Sequence, residues 1–201
     1  MEIARSRSRA SPMPVPGQIG HALMACALLS APAHAADSPV ALAEARRCWS
    51  TVGEPSIAAC RHALDLGLAP ARASRVELTL AARLASLHRW EEVVAVHRRA
   101  MAQRPTEAEA HRRLGAALLH GLGRPAEAEA PLREALRLGN GEARTWGDLA
   151  LALAALGRAG EAVTAFDTAV RIDPGYLEAR PGSRAAYDAA RDGRRWPPPP
   201  S

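Results

Sequence analysis

The chain has 201 residues, 48% of them hydrophobic and 23% charged, which is the balance of one ordinary folded domain or a short repeat array and excludes a solvated polyelectrolyte. All 26 basic residues are Arg, set against 21 acidic ones, for a net charge of +5 with His neutral. With four Trp, two Tyr and one Phe beside 46 Ala, a sandwich or barrel lacks its usual material, and helices are favoured.

Arg5, Arg7 and Arg9 precede an apolar stretch over 22–29, followed by Ala33-His34-Ala35, the small-x-small form of a secretory cleavage site. Residues 1–35 therefore read as a signal peptide, with the mature chain starting near Ala36 and exported, in the bacterial case to the periplasm. The apolar run is far short of the roughly 20 residues that span a bilayer, and no later segment comes closer, so no transmembrane helix is expected. Removing this segment leaves a net charge of +3 and takes away Cys26, so the odd count of three cysteines becomes the pair Cys48 and Cys60 where oxidation is permitted. The alternative for the same residues is a lipoprotein box, Leu23-Met24-Ala25-Cys26, with an acylated Cys26 as anchor.

Residues 36–73 read as a helical hairpin, with helices over 40–50 and 54–66 and a turn over 51–54. Cys48 lies just before that turn and Cys60 just after it, on facing helices. They are either a disulfide, worth about 2–3 kcal/mol by closing a short loop in the unfolded chain, or two buried thiols. Export favours the bridge.

From residue 74 the chain repeats itself. The segment 143–176 carries Trp146, Leu149, Leu153, Leu156-Gly157-Arg158, Ala162, Phe166, Ala169 and Asp173-Pro174. One period back, 108–142 carries Leu114-Gly115, Leu118, Gly123-Arg124, Ala128, Leu132 and Ala135-Leu136, with one extra residue assigned to a loop over 120–123. Another step back, 74–107 carries Leu80-Ala81, Leu84, Trp90-Glu91-Glu92, Ala100 and Pro105. Each unit is a helix pair with an open apolar face, so such units close a core only by stacking. Pro131, some six residues into the helix that Pro125 begins, should kink it.

These three units resemble the tetratricopeptide repeat, whose pattern is Trp, Leu-Gly and Tyr in a first helix and Ala, Phe, Ala and a closing Pro in a second. Ala150 stands for the Gly and Leu153 for the Tyr. The resemblance implies an all-α, right-handed α-solenoid of stacked hairpins, with 36–73 as a degenerate first unit. Residues 177–193 read as a capping helix with Pro181-Gly182 as an interruption, and 194–201, with Trp196 and four prolines, as a disordered Pro-rich tail.

The resemblance also implies a concave groove lined by the first helix of each unit and taking a peptide or partner helix. The matching positions are Arg75, Leu78, Thr79 and Ala82, then Glu109, Arg112, Arg113 and Ala116, then Arg144, Gly147, Asp148 and Leu151. The family's carboxylate clamps use Lys and Asn, which are absent at these places. What remains is a partly apolar groove with a basic centre at Arg112 and Arg113, suited to an acidic peptide, or else a solvated basic face.

Motifs for catalysis are not found. Gly121-Leu122-Gly123-Arg124-Pro125-Ala126 fits a phosphate-loop pattern but joins two helices and reads as a turn. His97 and His111 stand where the family has aromatic rings and read as packing residues, with a metal or pH-sensing role as the alternative. No metal, cofactor or nucleic acid is expected. The expected function is a non-catalytic protein-interaction adaptor or assembly factor of the cell envelope. The alternative is a structural accessory subunit of an envelope secretion, pilus or cytochrome-assembly machine.

Overall fold

The computed structural model describes residues 37–194 and Trp196. The segment read as a signal peptide and the lipobox at Cys26 lie outside the described residues, as does most of the Pro-rich end.

Among the described residues there are helices and no strands. They are α1 (Pro39–Ser50), α2 (Glu54–Asp65), α3 (Pro70–Ser86), α4 (Trp90–Gln103), α5 (Ala108–Ala116), α6 (Pro125–Arg137), α7 (Ala143–Ala155), α8 (Ala159–Ile172) and α9 (Pro181–Arg191). None is long and apolar enough to cross a membrane. Five of them take Pro into the first turn, where its missing N–H is no loss and its fixed φ favours the helix. Pro181 therefore starts α9 and does not interrupt it. α6 runs unbroken past Pro131 to Arg137.

Each helix packs on its chain neighbours, α1 on α2, α3 on α4, α5 on α6 and α7 on α8, and the pairs stack into an α-solenoid. The sequence period shows in the core. Leu80, Leu114 and Leu149 are buried at one level of the first helices, and Ala100, Ala135 and Ala169 at one level of the second. Small side chains at the latter level let helices approach closely, and Phe166, Leu132 and Ile57 fill the remaining space.

The turns inside the units share one scheme, with the Arg124 N–H of the middle unit reaching one residue further back, to the Leu118 carbonyl at 2.9 Å. At the end of α3 the N–H of His88 bonds the Ala85 carbonyl at 3.0 Å and the N–H of Arg89 bonds the Leu84 carbonyl at 3.0 Å. At the end of α7, Gly157 and Arg158 make the same pair of bonds to Ala154 and Leu153. This termination needs one left-handed residue, which is Gly157 at φ 78° and Gly123 at φ 60°, but His88 at φ 56° in the first unit. Arg then leads into the second helix each time. Arg89 bonds Glu92 and Glu54, Arg124 pairs with Glu127 and Glu91, and Arg158 bonds Glu161 and Glu129. Every one of these arginines thus joins its own helix to the second helix of the preceding hairpin.

The extra residue of the middle unit is not in a loop. α5 continues as a π-helical turn, Ala117–Gly121, closed by the Leu122 N–H on the Ala117 carbonyl at 3.3 Å. One added residue has widened the helix by one place in its hydrogen-bond ladder. Gly121 lies under the Trp90 indole, where a Cβ would sit 2.4 Å from the ring.

The two ends are fastened differently. A disulfide joins Cys48 and Cys60, both fully buried, and the Ser56 hydroxyl donates to the Cys48 carbonyl at 2.7 Å beside it. At the far end the Tyr187 ring of α9 stands edge-on to Phe166 of α8, with centroids 5.6 Å apart, and its hydroxyl bonds Asp167 at 2.7 Å.

Candidate functional site

A groove of about 1020 Å³ runs along the first helices of the stacked units. Its apolar lining comes from Leu78, Ala81, Ala82 and Ala85 of α3, Trp90 and Val93 of α4, Ala116 of α5, Ala117 and Leu119 of the π-turn, and Leu151 of α7. Its charged groups are Arg112, Arg113, Arg144, Asp148 and Arg180. Tyr176, the first turn of α9 and Trp196 complete it.

Of the positions taken from the sequence, Leu78, Ala82, Arg112, Arg113, Ala116, Arg144, Asp148 and Leu151 line this groove. Arg75, Thr79, Glu109 and Gly147 do not. Arg75 turns towards the first hairpin, its guanidinium 4.9 Å from the centre of the Trp49 ring. The Thr79 hydroxyl bonds back to the Arg75 carbonyl. Gly147 is covered by Tyr176, whose hydroxyl would lie 1.8 Å from any Cβ added there.

Glu109 lies behind the groove and changes its electrostatics. Its carboxylate accepts two bonds from Arg112, at 2.6 and 2.5 Å, one from Arg113 at 3.0 Å and one from the Asn140 amide at 3.0 Å. Burial opposes its ionisation, but Arg112 and then Arg113 outweigh that and hold its pKa below the ordinary carboxylate range. The basic centre read from Arg112 and Arg113 is accordingly half neutralised from within. Arg144 is exposed, and neither it nor Arg180 has a carboxylate partner among the described residues; the Arg180 guanidinium lies 4.5 Å over the Tyr176 ring. The positive charge open to a ligand sits at the α7–α9 end of the groove, displaced from the expected centre.

The two histidines expected to act alike are separated by the fold. His97 lines the groove, buried, and its pKa falls to about 4: burial is the main cause, repulsion from Arg113 and Arg112 adds to it, and Glu109 opposes it. His111 points elsewhere, its Nε2 2.8 Å from the Pro105 carbonyl. His120, which the sequence did not single out, reaches the groove from the π-turn and shares a 2.8 Å hydrogen bond between its Nε2 and the buried Asp148 carboxylate. Trp90, Tyr176, Arg180 and Trp196 were also not foreseen. They come from second helices and from the cap, and a first-helix rule does not reach them.

Residues 143–176 match the family model described as tetratricopeptide repeat, the span that carries the most complete motif. Among solved structures, YrrB, a TPR protein with an unusual peptide-binding site, is 22% identical with a TM-score of 0.53, over 70% of this chain and 71% of its own. The MamA RS-1 ArsTM double mutant is 19% identical with a TM-score of 0.57, over 77% of this chain and 90% of its own. No curated protein matches. Residues 143–176 thus match a tetratricopeptide repeat, two further helix pairs are built to its pattern, and the chain shares the fold of these solved structures.

Proposed function

We propose that the protein is a non-catalytic interaction adaptor or assembly factor of the cell envelope, holding a peptide or partner helix in its groove. The observation that carries this reading is the groove itself, an apolar floor about 1020 Å³ in volume with arginines at one end. An extended segment with apolar side chains and a carboxylate near Arg144 and Arg180 fits it, because guanidinium groups donate to carboxylates in a two-bond fork. That YrrB is a TPR protein with a peptide-binding site supports the reading by analogy of fold. The envelope placement is supported by the charged, apolar and small-x-small order of residues 5–35 and by the Cys48–Cys60 bridge, which belongs to an oxidising compartment.

Arg144→Glu is the informative variant, since Arg144 is exposed and its reversal leaves the Glu109 network intact. Partner capture from an envelope extract should fall at least about tenfold, the loss of one charge-assisted contact. Unchanged capture would count against the groove. N-terminal sequencing of the mature protein tests export, and a start at Met1 would defeat it.

A further inference from the structure

Trp196 is the last residue described, and it is not in solvent. It is partly buried, packs against the hydrophobic core and lies among the groove-lining residues. Local geometry brings it there. α9 ends in Gly193 at φ 67°, with the Gly193 N–H on the Ala190 carbonyl at 3.2 Å and the Arg194 N–H on the Ala189 carbonyl at 2.8 Å. This pair of bonds terminates the helix and turns the chain out of its axis, two residues before Trp196. α9 is itself held in place through Tyr187 on Phe166 and Asp167, so the tail leaves from a fixed point. The groove offers what an indole needs, a floor that includes Trp90, Leu119 and Ala116.

We propose that Trp196, carried by the chain's own C-terminal segment, covers part of the groove, so that the free protein carries a ligand in cis which a partner must displace from that part. This rests on the groove being the binding site. Four residues separate the end of α9 from Trp196, and so short a tether gives the indole a local concentration on the order of millimolar. A subsite covered by the indole nine-tenths of the time binds a competitor about tenfold more weakly than an open one. The partner that succeeds is one that brings an aromatic or large apolar anchor of its own.

The test uses the full chain and a fluorescein-labelled peptide of residues 191–201, read by anisotropy. Trp196→Ala should bind the labelled peptide about tenfold more tightly than wild type, because its own tail no longer competes, whereas Trp196→Phe, which keeps an aromatic ring, should behave like wild type. A peptide lacking the indole should not bind, and adding Ala116→Arg to Trp196→Ala should abolish binding by filling the groove. Circular dichroism checks that each variant keeps its helices. Equal binding by wild type and Trp196→Ala, or no binding by either, overturns the proposal, as does binding that survives Ala116→Arg. Failure here leaves the groove reading standing if Arg144→Glu still abolishes partner capture. Indifference of capture to Arg144→Glu, with tail peptide still bound, would sink the groove as partner site and keep the tail contact.

Discussion

His97 sits in the groove wall with two arginines near it and little water. Its pKa of about 4 lies below the ordinary 6.5, so the unfolded chain takes up the proton first as pH falls. Stability is therefore full above about 6.5 and declines as pH drops from there to about 4, by something on the order of 3 kcal/mol across the window. The depressed carboxylates, Glu109 among them, act mainly below 4.5 and overlap this window only at its acid end. Urea unfolding of wild type and His97→Leu at pH 7 and pH 4.5 should show a steep loss for the former and a shallow one for the latter. Parallel losses would refute the assignment. The sequence placed His97 and His111 at comparable positions and left them as packing residues. Their different places, His97 in the groove wall and His111 on the Pro105 carbonyl, come from how α4 and α5 pack, which no pattern within one helix records.

The turn inside each hairpin was legible where Gly123 and Gly157 mark it and not where His88 replaces glycine. His88 is exposed and serves the turn through its backbone N–H, while its left-handed φ costs a residue with a Cβ about 1 kcal/mol. His88→Gly should raise the stability of the folded chain by several tenths to about 1 kcal/mol, the gain being reduced by glycine's greater freedom when unfolded. A urea midpoint that stays or falls would contradict this. Helix spans were legible from periodicity, with α1 and α2 within a residue of their expected bounds. α3 starts at Pro70, four residues before the first repeat position, because the Pro and Ala that precede the motif extend the helix. Of the Arg ladder, Arg124 and Arg158 stood in the repeat pattern beside their glycines, and Arg89 did not. The ladder's meaning, one guanidinium spanning two hairpins, needed the stack.

At the scale of the molecule, stability in a stack is a sum of hairpins and the interfaces between neighbours, so what is fastened at an end protects that end most. The Cys48–Cys60 bridge closes the first hairpin and should contribute about 2–3 kcal/mol. Thiol labelling of the chain unfolded in denaturant should leave both cysteines unmodified until reductant is added, and the reduced chain should unfold first at α1 and α2 by hydrogen exchange. Labelling without reductant would show free thiols. The fold class and the repeat were legible because stacking depends on residues that recur; the groove's true charge centre was not, because Glu109 neutralises from behind what the same helix displays in front. The π-turn after α5 has a consequence for how such an array can change. The residue that makes the middle unit longer leaves the following turn intact, with Gly123 and Arg124 in the same conformation as Gly157 and Arg158. The length change is thus taken up within one helical turn, ahead of the residues that lead into the next helix. Single-residue insertions at first-helix ends are a route by which this stack can reshape its groove, as at His120, while the Gly-Arg turn that follows keeps its form.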